Sequence, residues 1–163
     1  GMDGAPERPG ATIVPSDRAG LEAKTTLENA LPQTGSLNTV TLTEHQITSW
    51  LAMEMKNSPD LPVHDVQVHL QNGEIQIWSM VDGSANSTSA LVVGKINLDA
   101  TGNPGFEIMS LQIGQQAIPK LLLSQVGSWL NQFLSEQIDQ QVPGLQIMNI
   151  NISSGLITIS GMR

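Results

Sequence analysis

The chain has 163 residues, 15 acidic and 7 basic, giving a formal net charge of −8, and it has no cysteine. That length fits one domain able to bury about two-thirds of its unfolded surface without a metal or disulfide, and the missing cysteines exclude disulfides, thiolate metal sites and cysteine nucleophiles. Lys24, Lys56, Lys95 and Lys120 lie far apart, so no basic cluster meets a phosphate backbone and nucleic acid is not an expected partner.

Charged residues make up only 13% of the chain, about half the usual share, so Ser, Thr, Asn and Gln must supply the polar surface. That composition is common in exported proteins. No apolar run approaches the roughly 18 residues that cross a bilayer, and no signal peptide opens the sequence. Gly1-Met2 reads as the remnant of a cleaved tag.

Residues 1–15 carry Gly4, Pro6, Pro9, Gly10 and Pro15 with little apolar content, and read as a flexible arm or linker. Residues 16–163 read as a single α+β domain. Ser16-Asp17 caps a helix to about Leu31, with Ala19, Ala23, Leu27 and Ala30 on its apolar side and Pro32 and Gly35 beyond its end. Asn38 to Leu42 alternates as a short strand. Thr43 and Gln46 make a capping box for a helix over 44–56, whose apolar residues are Ile47, Trp50, Leu51 and Met55; Asn57-Ser58-Pro59 stops it.

A run of strands follows. Val66, Val68 and Leu70 alternate with polar residues, Asn72-Gly73 is a hairpin turn, and Ile75 and Ile77, then Trp78 and Met80, mark the return strand. Residues 82–88 form a polar loop, and Ala90 to Asp99 is a third strand. Residues 101–105 turn the chain into a fourth strand, Phe106 to Ile113, whose apolar parity shifts between Ile108 and Met109 and so predicts a bulge. Pro119 opens a helix to about Gln141, ended by Pro143-Gly144. Two strands close the chain, one carrying Met148, Ile150 and Ile152, the other Ile157 and Ile159, joined at Ser154-Gly155.

Over 120–141, Leu122, Val126, Trp129 and Phe133 form one stripe, and Leu123, Leu130, Leu134 and Ile138 form a second beside it. The arc is wider than that of an ordinary surface helix. The expected fold is therefore α+β, a long apolar C-terminal helix wrapped by a curved antiparallel sheet, with one or two shorter N-terminal helices. Apolar stripes at helical spacing are ordinarily core; the alternative is that some of these side chains line a ligand groove. Met53, Met55, Met80, Met109 and Met148, flexible and polarizable, suit either role.

Catalytic chemistry finds little support. His64 and His69 are five apart on a strand, so alternation puts them on opposite faces, and they cannot chelate one metal without a bulge. His45 sits in the first turn of a helix. Asp60, His64 and Asp65 are close in sequence without a third group to complete a site. There is no Gly-x-Ser-x-Gly elbow, and the turn at 102–105 lacks the lysine and the following helix of a phosphate loop. Trp50, Trp78 and Trp129 all fall at core-like positions.

Several short motifs carry a family resemblance: Thr43, Glu44 and Ile47 at a helix start, Leu111, Ile113 and Gly114 in one strand, Ile118-Pro119, and the closing pair Ile150-Asn151-Ile152 and Gly155-Leu156-Ile157. Over residues 40–163 the chain resembles the YpmS-like bacterial membrane-anchored proteins, which are similar to one half of the tubular lipid-binding (TULIP-like) fold. The resemblance implies an N-terminal membrane anchor and an extracytoplasmic location, and it transfers no catalytic residue.

The resulting expectation is a non-catalytic extracytoplasmic domain, with no cofactor or metal. It holds a lipid-like or other apolar ligand, such as an acyl chain, in a groove between the long helix and the sheet. Leu122, Val126, Trp129, Leu130 and Phe133 are the expected lining. The alternative is a structural or protein-interaction domain of the bacterial cell envelope with no small-molecule ligand. An apolar pocket of about 300 Å³ or more favours the first.

Overall fold

The computed structural model describes residues 6–30, 37–82, 87–101, 104–114, 128–129, 131–132, 136 and 146–162. The first helix, α1 (Asp17–Ala30), is capped by Ser16, whose Oγ accepts from the Ala19 N–H at 3.1 Å. Its small residues let it lie close to α2 (Glu44–Met55): a Cβ on Gly20 would collide with Met53 Sδ and stand 3.1 Å from the Ser49 carbonyl oxygen. The capping box of α2 forms as expected. Thr43 Oγ1 accepts from the Gln46 N–H at 3.1 Å, and the Thr43 N–H donates to Gln46 Oε1 at 3.0 Å.

The remaining elements are strands in two antiparallel sheets. One has the order β1 (Asn38–Thr43), β7 (Leu156–Met162), β6 (Gln146–Ser153). The other runs β2 (Val63–Gln71), β3 (Glu74–Asp82), β4 (Ser87–Leu98), β5 (Pro104–Ile113) in sequential hairpins. The Asn72-Gly73 turn has φ of 52° and 81°, the left-handed pair that a two-residue hairpin needs. Val93 pairs with Ser110 and Gly94 with Ile108, so Met109 is the extra residue of a bulge, where the parity of the sequence shifts.

The core draws on both sheets and both helices. Val40, Leu42, Ile147, Ile152, Ile157 and Ile159 come from the three-stranded sheet, and Val66, Val68, Leu70 and Ile75 from the four-stranded one. Ala23, Leu27, Trp50 and Leu51 close it from the helices.

The helices also solve an edge problem. β2 ends its sheet, so the outer main-chain groups of Val68 and Leu70 need partners other than a strand. α2 supplies them. The Val68 N–H donates to Thr48 Oγ1 at 3.0 Å and the Thr48 hydroxyl reaches the Val68 carbonyl at 3.4 Å, while the Leu70 N–H donates to Glu44 Oε2 at 2.8 Å. Residues four apart on a helix are offset by about 6 Å and alternate residues of a strand by about 6.6 Å, so Glu44 and Thr48 match Leu70 and Val68. The Glu44 N–H donates to the Gly155 carbonyl at 3.1 Å and the Gly155 N–H to the Leu70 carbonyl at 2.8 Å, which ties the β6–β7 turn into the same corner.

This architecture corrects the expected one. A long C-terminal helix gripped by a curved sheet is not apparent among the described residues; the fold is mostly β, with helices of 14 and 12 residues near its start. The physical reason lies in the partner of the four-stranded sheet. Its inner apolar side chains share their core with the three-stranded sheet, α1 and α2. Of 120–141, residues 128–129, 131–132 and 136 are described, the first four with α-helical and the last with π-helical backbone.

The edge-sealing role of Thr48 is testable, because Thr48 is completely buried. Thr48→Val keeps the shape and removes the hydroxyl, leaving both outer groups of Val68 unpaired. Urea unfolding should show a loss of about 1–3 kcal/mol, and Thr48→Ser should lose less. An unchanged midpoint for Thr48→Val would show that the hydroxyl does not seal the strand.

Candidate functional site

The most organised polar surface is the outer face of β2, β3 and β4, the side turned away from the core. Its composition depends on a bulge in β2. Register shifts between His64 and Gln67, and Asp65 takes a φ of 55°. One residue of slippage flips alternation. His64 then pairs with Met80, Gln67 with Trp78 and His69 with Gln76. Because those partners alternate along β3, His64, Gln67 and His69 all share the outer face. The separation expected from simple alternation is thus corrected. The two histidines still lie about 13 Å apart, four residues along the partner strand. Among the described residues no three of His, Asp and Glu converge as metal ligands.

Residues 6–15 lie across this face and are held through their main chain. Gln67, only 4% exposed, donates from Nε2 to the Ile13 carbonyl at 2.7 Å and accepts from the Ile13 N–H on Oε1 at 2.5 Å. Trp78 Nε1 and Ser89 Oγ both donate to the Pro6 carbonyl, at 2.9 and 2.6 Å. The Arg8 guanidinium sits 5.1 Å from the centre of the Trp78 ring, a cation–π distance. Gly10 crosses His69 so closely that a Cβ would stand 2.8 Å from Nδ1. At the end of the segment, His45 Nε2 bonds the Val14 carbonyl at 2.9 Å and the Ser16 N–H donates to Ser49 Oγ at 3.1 Å.

Two open grooves flank the segment. One, of about 620 Å³, runs between Pro6–Thr12 and the Trp78 and Ser89 side chains. The other, of about 550 Å³, lies between residues 12–15, the end of α2 and the bulge at His64–Gln67. Beneath the segment, Nε2 of buried His69 and Oε1 of Gln76, its cross-strand neighbour, have no hydrogen-bond partner among the described residues.

His64 sits beside two carboxylates, with Nδ1 3.3 Å from Asp82 Oδ1 and Nε2 3.8 Å from Asp65 Oδ2. Ser87 Oγ donates to that same Asp82 oxygen at 2.8 Å. The hydroxyl is therefore aligned with the carboxylate and not with the imidazole, which is not the order of a nucleophilic relay.

The sequence-derived ligand site meets the structure at one residue. Leu122, Val126, Leu130 and Phe133 lie outside the described residues. Trp129 is half-buried, packs against the core and donates from Nε1 to Ser58 Oγ at 2.9 Å. An apolar cavity among the described residues lies inside the core, walled by side chains such as Leu42, Trp50, Ile75, Ile96 and Ile157, and has a volume of about 70 Å³. Drug-sized ligands fill sites of about 300 Å³ and more. Trp78, placed with the core by its sequence position, is buried from the outer side, by the Pro6–Arg8 segment. Its polar handle, an indole N–H that seeks an acceptor when buried, is the sequence signal that could have found this surface.

No protein-family model matches the chain and no curated protein matches it either. Among the described residues no helix is long and apolar enough to cross a membrane.

Gln67 is the residue on which the segment's docking turns. Gln67→Met retains the bulk and removes both amide contacts. Amide exchange at Ile13 should then accelerate by at least about tenfold, the scale of losing one to two hydrogen bonds, while Val68 and Leu70 stay protected. Unchanged exchange at Ile13 would mean that Gln67 does not hold it.

Proposed function

We propose that the chain is a protein-interaction domain of the bacterial cell envelope, held at the membrane outside the cytoplasm, which grips an extended polypeptide on the outer face of β2–β4 and needs no small-molecule ligand. The observation that carries this reading is the double contact of Gln67 with the main chain of Ile13. A buried amide that reads both the N–H and the carbonyl of one residue recognises extended backbone, whatever its side chains. Trp78 and Ser89 both donate to a second main-chain group of the segment, the Pro6 carbonyl. The flanking grooves leave room for side chains. The extracytoplasmic setting is supported by the low charge, the polar but uncharged surface composition and the resemblance to YpmS-like proteins.

A second reading keeps the lipid-like ligand, held against the apolar residues around Leu122, Val126, Trp129, Leu130 and Phe133. It is favoured by Trp129, which faces the apolar cluster with part of its surface still open.

Native mass spectrometry of gently purified protein separates the two. The interaction reading predicts the bare chain mass of 17.4 kDa and no acyl species on solvent extraction. A reproducible acyl adduct, lost on Trp129→Ala, would replace the first reading with the second.

A further inference from the structure

The interaction reading leaves open which polypeptides fit, and the docked segment itself answers that. It includes Pro6-Glu7-Arg8-Pro9, two prolines separated by one acidic and one basic residue. Trp78 contacts it twice: the indole N–H donates to the Pro6 carbonyl and the ring face takes the Arg8 guanidinium. An indole donor aimed at a proline carbonyl suits such segments for a physical reason. Proline fixes φ near −65° and removes its own N–H, so a proline-rich strand offers carbonyls without donors and loses little entropy on binding. Aromatic-lined grooves exploit this. Ser89 adds a second donor to the same carbonyl, and the Arg8 contact adds a preference for positive charge.

We propose that the outer face of β2–β4 is a recognition surface for Pro-x-x-Pro segments carrying a cation between the prolines, and that residues 6–13 are its tethered occupant. This proposal rests on the interaction reading and names the partner's chemistry: a proline-rich, extended segment of another protein with an arginine or lysine between its prolines. The tethered segment competes at an effective concentration on the order of millimolar, so it acts as a gate that a stronger ligand must displace.

The test uses full-length chain and a fluorescent peptide with the sequence of residues 5–15. Two variants clear the surface: one combines Gly and Ser at residues 6–12 with Ile13→Pro, which removes the prolines, Arg8 and the N–H that Gln67 Oε1 accepts, and the other is Gly10→Val, whose side chain would press on the His69 ring. Thermal melting shows which of them is folded. The peptide should bind a cleared chain at least about tenfold more tightly than wild type, where the tethered copy competes. At millimolar concentration it should also bind the wild-type chain. Pro6→Ala with Pro9→Ala in the peptide, or Arg8→Ala, should weaken binding, and Trp78→Phe in the cleared chain should weaken it by about five- to tenfold. Equal binding of the proline-free peptide would overturn the proline selectivity and leave the interaction reading standing. No binding of any peptide to a folded, cleared chain, or to wild type at millimolar concentration, would overturn both. A wild-type dimer with exchanged arms would put a second copy in the groove and overturn the assignment to a separate partner.

Discussion

The constraint on which the rest of the structure depends is the free edge of β2. A strand at the end of a sheet exposes a row of unpaired donors and acceptors, and a protein must cover it or lose it to another chain. Here α2 covers it, with Thr48 and Glu44 spaced along one helix face to meet Val68 and Leu70. Glu44 also bonds the β6–β7 turn through its own N–H and lies 3.7 Å from His69 Nδ1. One helical turn therefore seals the sheet, joins it to the second sheet and positions a buried histidine of the outer face.

With its β2 edge closed and its inner face committed to the core, the four-stranded sheet turns its outer face, along β2–β4, to residues 6–15. The bulge at Asp65 decides what that face presents. Without it, Gln67 and His69 would stay on the outer face while His64 turned inward. With it, all three align beside Trp78 and Gln76. Several polar residues of this face are buried, and the main chain of residues 6–13 pairs Gln67, Trp78 and Ser89, while His69 Nε2 and Gln76 Oε1 have no partner among the described residues.

Where local chemistry decides structure, the sequence was legible. The capping box at Thr43 and Gln46, the Asn72-Gly73 turn, the bulge beside Ile108 and the closing strand pair each depend on residues within a few positions of one another. The architecture was not legible for the complementary reason. The apolar arc over 120–141 says how much greasy surface the segment carries, not what fills the core, and the described core is filled by a second sheet that meets the first through residues 70–100 positions apart in sequence. The bulge in β2 was invisible because Asp65 has no glycine to announce its positive φ. The docking of residues 6–15 was hidden because it runs largely through main-chain atoms, which composition does not display, and Pro6 and Pro9 read instead as part of a flexible arm.

The measurement that reaches the centre of this account is the environment of the Trp78 indole N–H in the full chain by solution NMR. The account predicts nuclear Overhauser contacts from that proton and its ring to Pro6 and Arg8, with slow exchange against water. An indole proton in rapid exchange and without contacts to either residue would contradict it.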